Sequence, residues 1–247
     1  MRTASTTAEY TVSDQQRMKL ARNYFDWQAR LVKAHAGRRV IEIGCGVGNF
    51  TRHLLDREWI VGIDVEADCV ANLLQSLNRP PNVVAQQMDV VDPAFLELKK
   101  YRPDTAICLN VLEHIDDHVT ALKHMHEVLP VGGRAILIVP AFESLYGPID
   151  ANLGHFRRYS KKPFRELADS LGFETRILRY MNSIGCLGWW ANAKVLKKTE
   201  QSESQIRFFD SKIVPVMSRI EDRMEPPFGQ SLFAVLEKTG AKPVVKQ

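Results

Sequence analysis

The sequence predicts an α/β fold of the Rossmann-like, doubly wound type, with a mostly parallel sheet of seven strands. One observation is that short apolar strands alternate with amphipathic helices over residues 40–139. Another is that three glycines, Gly44, Gly46 and Gly48, directly follow the first strand at alternate positions. Such glycines let a ligand approach bare backbone, because no Cβ atom blocks the approach.

The first half of the chain supplies five of the strands. The polar composition of residues 1–13 predicts a loose N-terminal arm, and apolar residues at helical spacing predict a helix over 14–35. Apolar runs of strand length follow at 40–43, 59–63, 83–88, 105–109 and 135–139. Helices are expected between them at 49–55, 69–77 and 118–129.

The second half completes the sheet and adds an insertion. Ser160 is suited to cap a helix that ends near Gly172, and strands are expected at 174–180 and 231–237. The intervening segment, 182–230, is far longer than the usual α/β connection of about 2–6 residues. We therefore expect a helical insertion there, with a helix at 211–224. It would serve as a lid, a dimer contact or a membrane-surface contact.

Composition narrows the classes of function. The 247 residues are 45% apolar and carry a net charge of +4 without a basic run, which argues against a nucleic-acid partner. Four scattered cysteines without a Cys-x-x-Cys pair argue against a zinc site or a disulfide framework and fit the cytoplasm. No apolar run is long enough to span a membrane, so no integral span is expected. A monomer or a homodimer would both be compatible.

Polar residues follow each of the next three strands. Asp64 comes after the second strand, Asp89 after the third and Asn110 after the fourth. In an open parallel sheet, ligands bind beyond the carboxyl ends of the strands, where these residues converge. An acid roughly 20 residues past the first glycine is placed to accept hydrogen bonds from ribose hydroxyls. A dinucleotide fingerprint, however, would need glycine in place of Asn49.

The glycine segment resembles the first motif of the class I S-adenosylmethionine (SAM)-dependent methyltransferases. Residues 40–48 read Val-Ile-Glu-Ile-Gly-Cys-Gly-Val-Gly. Residues 110–115, Asn-Val-Leu-Glu-His-Ile, are similar to the fourth motif of the small-molecule enzymes of the ubiquinone-biosynthesis type. The resemblance implies one methyltransferase domain over 14–247, with SAM as cofactor and S-adenosyl-L-homocysteine as product.

The resemblance also implies which residues hold SAM. Glu42 and the glycine loop would take the methionine part, Asp64 the ribose and Asp89 the adenine amino group. The full cofactor set is Glu42, Gly44, Cys45, Gly46, Gly48, Asn49, Phe50, Asp64, Val65, Met88, Asp89, Val90, Asn110 and Val111. SAM carries hydroxyl and amino donors and no phosphate, which agrees with carboxylates and with the lack of a phosphate-binding lysine.

The acceptor side is less well defined by sequence. The loop at 146–159 concentrates polar side chains, and His155 is the expected catalytic base because its ordinary pKa lies near neutrality. A salt-bridged hinge around Asp150 is the alternative. The expected substrate-binding residues are Tyr24, His114, Tyr146, Arg157, Arg158, Tyr159, Trp189 and Trp190. No metal site is expected, since His114 and His118 lack an evident third ligand.

The sequence thus predicts methyl transfer from SAM to a small-molecule acceptor through oxygen, nitrogen or carbon. The arginines favour an anionic acceptor, and the tryptophans favour a partly apolar one. Two alternatives stay open: a SAM-binding regulatory module without catalysis, and a nicotinamide-dependent oxidoreductase, which Asn49 disfavours.

Overall fold

A computed structural model describes residues 17–195 and 202–240, and a single mixed sheet of seven strands forms its centre. The strands are β1 Arg39–Ile43, β2 Trp59–Asp64, β3 Val83–Gln87, β4 Thr105–Leu109, β5 Arg134–Pro140, β6 Phe173–Met181 and β7 Ser231–Lys238. Their order is β3-β2-β1-β4-β5-β7-β6, and β7 runs antiparallel to both of its neighbours. The predicted fold class is therefore confirmed.

Helices cover both faces of this sheet. The α-helices are α1 Arg22–Lys33, α2 Ala67–Ser76, α3 His118–Val128, α4 Pro148–Leu153, α5 Lys161–Ser170, α6 Ser183–Trp190, α7 Glu203–Phe208 and α8 Val214–Glu221. Short 3-10 segments lie at Thr51–Leu54, Pro93–Tyr101, Leu112–His114 and Glu143–Leu145. None of the helices in these described ranges is long and apolar enough to cross a membrane.

Both faces of the central strands β1, β2, β4, β5 and β7 are buried, which explains why these strands are mostly apolar. The edge strands β3 and β6 are only partly buried. One cluster centres on residues such as Ile41 and Leu137, and the other contains Trp27, Ile107 and Phe233. The order reverses at β1, which pairs with β2 on one side and with β4 on the other. A crevice forms outside the carboxyl ends of the strands at such a reversal.

Two predicted helix boundaries are wrong. The helix expected at 49–55 is only the short 3-10 segment Thr51–Leu54, because the glycine loop keeps positive φ values as far as Gly48 (+83°) and consumes the residues that a longer helix would need. The N-terminal helix is interrupted: Arg17 and Met18 are helical, Lys19 and Leu20 form a turn, and α1 starts at Arg22 because Ala21 has a non-helical ψ of 53°. Residues 14–16 and the predicted arm at 1–13 lie outside the described residues.

Between β6 and β7 the described residues, 182–195 and 202–230, are largely helical, as expected, but less regular than the sequence indicates. Its last predicted helix, 211–224, is a π-helical turn, Phe209–Ile213, followed by α8. Asp210 in that turn accepts hydrogen bonds from the backbone N–H groups of Asn23 (3.2 Å) and Tyr24 (2.9 Å). The insertion therefore supplies the N-terminal cap of α1 and fixes that helix over the sheet edge.

Candidate cofactor and acceptor site

A cavity of about 670 Å³ lies beyond the carboxyl ends of β1 and β4. This volume is in the range of small-molecule sites. Helix α1 and the insertion between β6 and β7 form its other walls. The predicted site residues that line it are Tyr24, Glu42, Gly44, Cys45, Gly46, Asn49, Phe50, Asn110, Val111, His114, His155, Arg158 and Trp189.

The glycine loop forms the floor of the cavity. Gly44 has a φ of +72°, and a Cβ atom there would lie 2.3 Å from Cγ2 of Val111. The N–H groups of Gly44 and Cys45 both donate to the carbonyl of Ile63, at 2.8 and 3.0 Å. Only glycine fits at this position without displacing Val111, so the close approach of β1 and β4 depends on it.

Asp64 organises the glycine loop from the end of β2. Its carboxylate accepts hydrogen bonds from the N–H groups of Gly46 (2.8 Å) and Glu66 (3.0 Å) and is 8% exposed. Burial raises the pKa of Asp64, and these two hydrogen bonds oppose that rise. Asp64 lies outside the cavity lining, as do its exposed neighbour Val65 and Gly48.

The residues after β3 also lie on this edge, outside the enclosed cavity. Asp89 is exposed, and its Oδ1 accepts a hydrogen bond from the N–H group of Val91 at 3.0 Å. Val90 is buried, and Met88 is half-buried. The structure thus divides the predicted cofactor residues into those at β1 and β4, most of which line the cavity, and those at β2 and β3, which lie outside its lining.

Glu42 is a buried carboxylate with an unsatisfied oxygen. It is 4% exposed and lines the cavity beside the glycine loop, and no described residue donates a hydrogen bond to its Oε2. Burial raises its pKa to about 8, and the nearby Thr51 hydroxyl opposes that rise. An unsatisfied buried acceptor at this point fits a ligand that carries an amino donor, such as the methionine part of SAM.

A second polar group lies on the acceptor side. Glu113, His114 and His155 each offer one potential ligand atom, and these atoms lie within 4.8 Å of one another. The two imidazole rings meet edge to face at 4.6 Å. Burial raises the pKa of Glu113 to about 7; burial and the nearby His155 lower the pKa of His114 to about 3. His114 is therefore a neutral imidazole at physiological pH.

Asp150 holds His155 in place. This fully buried carboxylate accepts hydrogen bonds from Nδ1 of His155 (2.9 Å), Nε of Arg158 (2.8 Å) and the N–H group of Gly147 (3.0 Å). Burial alone would raise the pKa of Asp150, but its bonds to His155 and Arg158 outweigh burial and lower it. Because Asp150 takes Nδ1, the free ring nitrogen of His155 is Nε2.

The loop that carries His155 is fastened to the turn that carries Glu113. The N–H group of Phe156 donates to the Glu113 carbonyl at 2.8 Å. Arg157 donates to the carbonyls of Ile115 (3.0 Å) and Asp116 (2.9 Å). The Tyr159 hydroxyl donates to the Leu112 carbonyl at 3.2 Å. These contacts place His155 beside Glu113 although the two are far apart in sequence.

Several residues expected to bind the substrate therefore lie outside the cavity lining. The side chains of Arg157 and Tyr159 donate hydrogen bonds to main-chain carbonyls, as described above. The Tyr146 hydroxyl donates to the carbonyl of His155 at 2.7 Å. Trp190 is 51% exposed, whereas Trp189 on the same helix is 7% exposed and lines the cavity. These residues were chosen from the sequence for their chemical type. Their tertiary contacts direct the side chains away from the cavity.

The sequence reasoning also missed a set of cavity residues at the far side of the sheet. Asn182 follows β6, and Gln230 and Ser231 lead into β7. Burial raises the pKa of the Tyr24 hydroxyl, and the nearby side chains of Ser231, Asn182 and Gln28 oppose that rise. Because β7 is antiparallel, its first residues lie at the same edge of the sheet as the carboxyl ends of the parallel strands. Inspecting the start of β7 together with those strand ends would have identified these residues from the sequence.

This strand order, a glycine loop after β1 and acids after β2 and β3 define the class of Rossmann-like methyltransferases. The family model described as a methyltransferase domain matches residues 15–177, and the chain belongs to that family. The cofactor of this family is SAM, as the resemblance to class I enzymes predicted.

Two curated relatives of this chain have names that refer to small molecules. It is 25% identical to the trans-aconitate 2-methyltransferase of Mycobacterium ulcerans (strain Agy99), over 87% of this chain and 81% of that protein. It is 28% identical to the ubiquinone biosynthesis O-methyltransferase of Pseudomonas aeruginosa (strain LESB58), over 47% of this chain and 48% of that protein. The chain spans as little as 43% of the length of the curated relatives it matches.

Solved structures agree on the fold. A geranyl diphosphate methyltransferase in complex with SAM matches with a TM-score of 0.60 at 13% identity, over 86% of this chain and 84% of that one. At this identity the likeness concerns architecture alone.

Proposed function

We propose that this chain transfers the methyl group of SAM to a hydroxyl oxygen of a small molecule with an apolar or aromatic body. One observation carries the proposal: a single cavity joins the glycine loop and unsatisfied Glu42 on one side to Glu113, His114 and His155 on the other. A cofactor and an acceptor can therefore meet in one enclosed space, and positioning two reactants supplies a large part of a catalysed transfer.

On the cofactor side, each carboxylate can accept a hydrogen bond from a donor group of SAM. Glu42 and the loop at Gly44 would hold the amino-acid part of SAM, Asp64 the ribose hydroxyls and Asp89 the adenine amino group. Asn110, with a left-handed φ of 53°, and Val111 would line the sulfonium side. When bound, SAM supplies an electrophilic methyl group on a sulfonium that leaves as a neutral thioether.

On the acceptor side, charge favours a neutral hydroxyl compound over a polyanion. Arg158 is the one arginine or lysine among the described lining residues, and it already pairs with Asp150 at 2.8 Å and faces the Trp189 ring at 4.8 Å. Its charge is thus compensated before any substrate binds. Trp189, Leu187 and Phe208 of the insertion add apolar wall area, which supports a lid role for this segment.

Of the two related activities, O-methylation of a ubiquinone-type intermediate therefore fits the cavity better than methylation of trans-aconitate. The test is incubation of the protein with methyl-labelled SAM and a matched panel of phenols, catechols and trans-aconitate, with detection of S-adenosylhomocysteine. We expect turnover with hydroxyl compounds on apolar bodies and none with trans-aconitate. Turnover of trans-aconitate alone would refute the acceptor class. A protein that binds no SAM would refute the function itself.

A further inference from the structure

We propose that Glu113, His114 and His155 bind a divalent transition-metal cation, which in turn holds the acceptor through two adjacent oxygen atoms. The inference deepens the proposed function and rests on it for the identity of the acceptor site. It replaces the expectation of no metal and gives His155 a different role from that of a proton acceptor.

The geometry of the three side chains suits one ion. Their ligand atoms lie within 4.8 Å of one another. Ligand atoms bound at about 2.1 Å to one tetrahedral cation lie about 3.4 Å apart. Side-chain movements of roughly 1 Å would therefore bring the three atoms to coordination distance. Two imidazole nitrogens and one carboxylate form a ligand set that suits zinc, iron and related divalent ions.

The carboxylate provides a second, independent observation. Glu113 is 1% exposed and lines the cavity, and among the described residues nothing donates a hydrogen bond to its Oε2. A buried carboxylate without a partner is costly, and a bound cation removes that cost. The backbone of Glu113 is itself fixed, because its carbonyl accepts the N–H group of Phe156. The unsatisfied oxygen is thus held at the cavity wall.

His155 has the outer partner that metal ligands usually have. Nδ1 of His155 donates to Asp150 at 2.9 Å. A metal-bound histidine almost always donates its other ring N–H to a carboxylate or a carbonyl, which fixes the tautomer and ring orientation. The lone pair on Nε2 of His155 is thereby left for a cation, and the His114 ring lies beside the carbonyl of Leu153.

Three protein ligands leave coordination positions open for the acceptor. Two neighbouring hydroxyl oxygens would fill them, so the substrate class is a vicinal dihydroxy compound such as a catechol. The cation lowers the pKa of a bound hydroxyl, whose proton passes to water. The resulting oxygen anion forms the new O–CH₃ bond as the methyl–sulfur bond breaks, with the electron pair going to sulfur. His155 stays bound to the cation throughout.

The test is cation binding by the dialysed full chain, followed with Co²⁺ by visible absorption and with Mn²⁺ by calorimetry. We expect one ion per chain, with binding weakened at least 10-fold by Glu113→Gln and by His155→Gln. His126→Gln is the matched control: this histidine lies outside the cavity lining, against Phe173, and its removal should leave cation binding unchanged. Binding of S-adenosylhomocysteine, measured in all variants, reports whether each remains folded.

Absence of Co²⁺ and Mn²⁺ binding in wild type would overturn the inference. So would binding that Glu113→Gln and His155→Gln leave intact, because the ion would then lie elsewhere. Full methyl transfer by protein freed of metal with a chelator would overturn it as well, while leaving the proposed methyl transfer standing. Failure to bind S-adenosylhomocysteine would instead remove the proposed function.

Discussion

Glu42 allows the proposed cofactor site to be tested by pH. Its pKa of about 8 means that near pH 6 the empty protein holds this carboxyl almost entirely protonated. The ammonium group of the ligand pairs most strongly with the ionised carboxylate. Ionising Glu42 two pH units below its pKa costs about 3 kcal/mol, since one pKa unit corresponds to about 1.4 kcal/mol. Near pH 9 this cost nearly vanishes.

The perturbation is Glu42→Gln, and the quantity is the ratio of the dissociation constants of variant and wild type for S-adenosylhomocysteine. The ligand's own amino group titrates equally in both measurements, so its effect on the dissociation constants cancels in the ratio. We expect the wild type to gain affinity about 100-fold over the variant between pH 6 and pH 9. Isothermal titration calorimetry at both pH values measures this directly. A ratio that is the same at both would refute the role of Glu42 as an ionised acceptor.

Three further predictions concern stability and the glycine loop. Gly44→Ala should abolish SAM binding in calorimetry, because its Cβ would lie 2.3 Å from Val111; retained affinity would contradict the tight approach of β1 and β4. Asp210→Ala should destabilise the chain by about 0.5–2 kcal/mol in urea unfolding through loss of the α1 cap, and an unchanged midpoint would exclude that role. Because folding raises the pKa of Glu42 from 4.5 to about 8, the ligand-free protein should lose stability as pH rises through that window, and Glu42→Gln should flatten this slope. Equal slopes in thermal melts of the two proteins would contradict it.

The sheet could be predicted because its central strands are buried on both faces and therefore read as apolar runs. The same logic located Glu42, Asp64 and Asn110, which lie in or directly after strands, where the chain direction fixes their place. The prediction of a helix at 49–55 was wrong because no apolar periodicity marks where the three-glycine loop ends. The local sequence pattern was sufficient to predict structure wherever residues that are close in sequence are also close in space.

The acceptor side depends on contacts that no local pattern records. His155 reaches Glu113 only because Phe156 bonds the Glu113 carbonyl and Arg157 bonds the carbonyl of Ile115. The sequence therefore identified the polar loop but assigned Arg157 to the substrate rather than to this anchoring role. It did not include Glu113 among the site residues, since only the folded chain reveals its unsatisfied oxygen at the cavity wall.

The most direct test of a shared cofactor and acceptor cavity is a crystal structure of the full chain with S-adenosylhomocysteine. We expect the amino-acid part at Glu42 and Gly44, the ribose at Asp64, and the sulfur directed into the space bounded by Glu113 and His155. A ligand bound at another edge of the sheet, or a sulfur turned away from His155, would contradict the account.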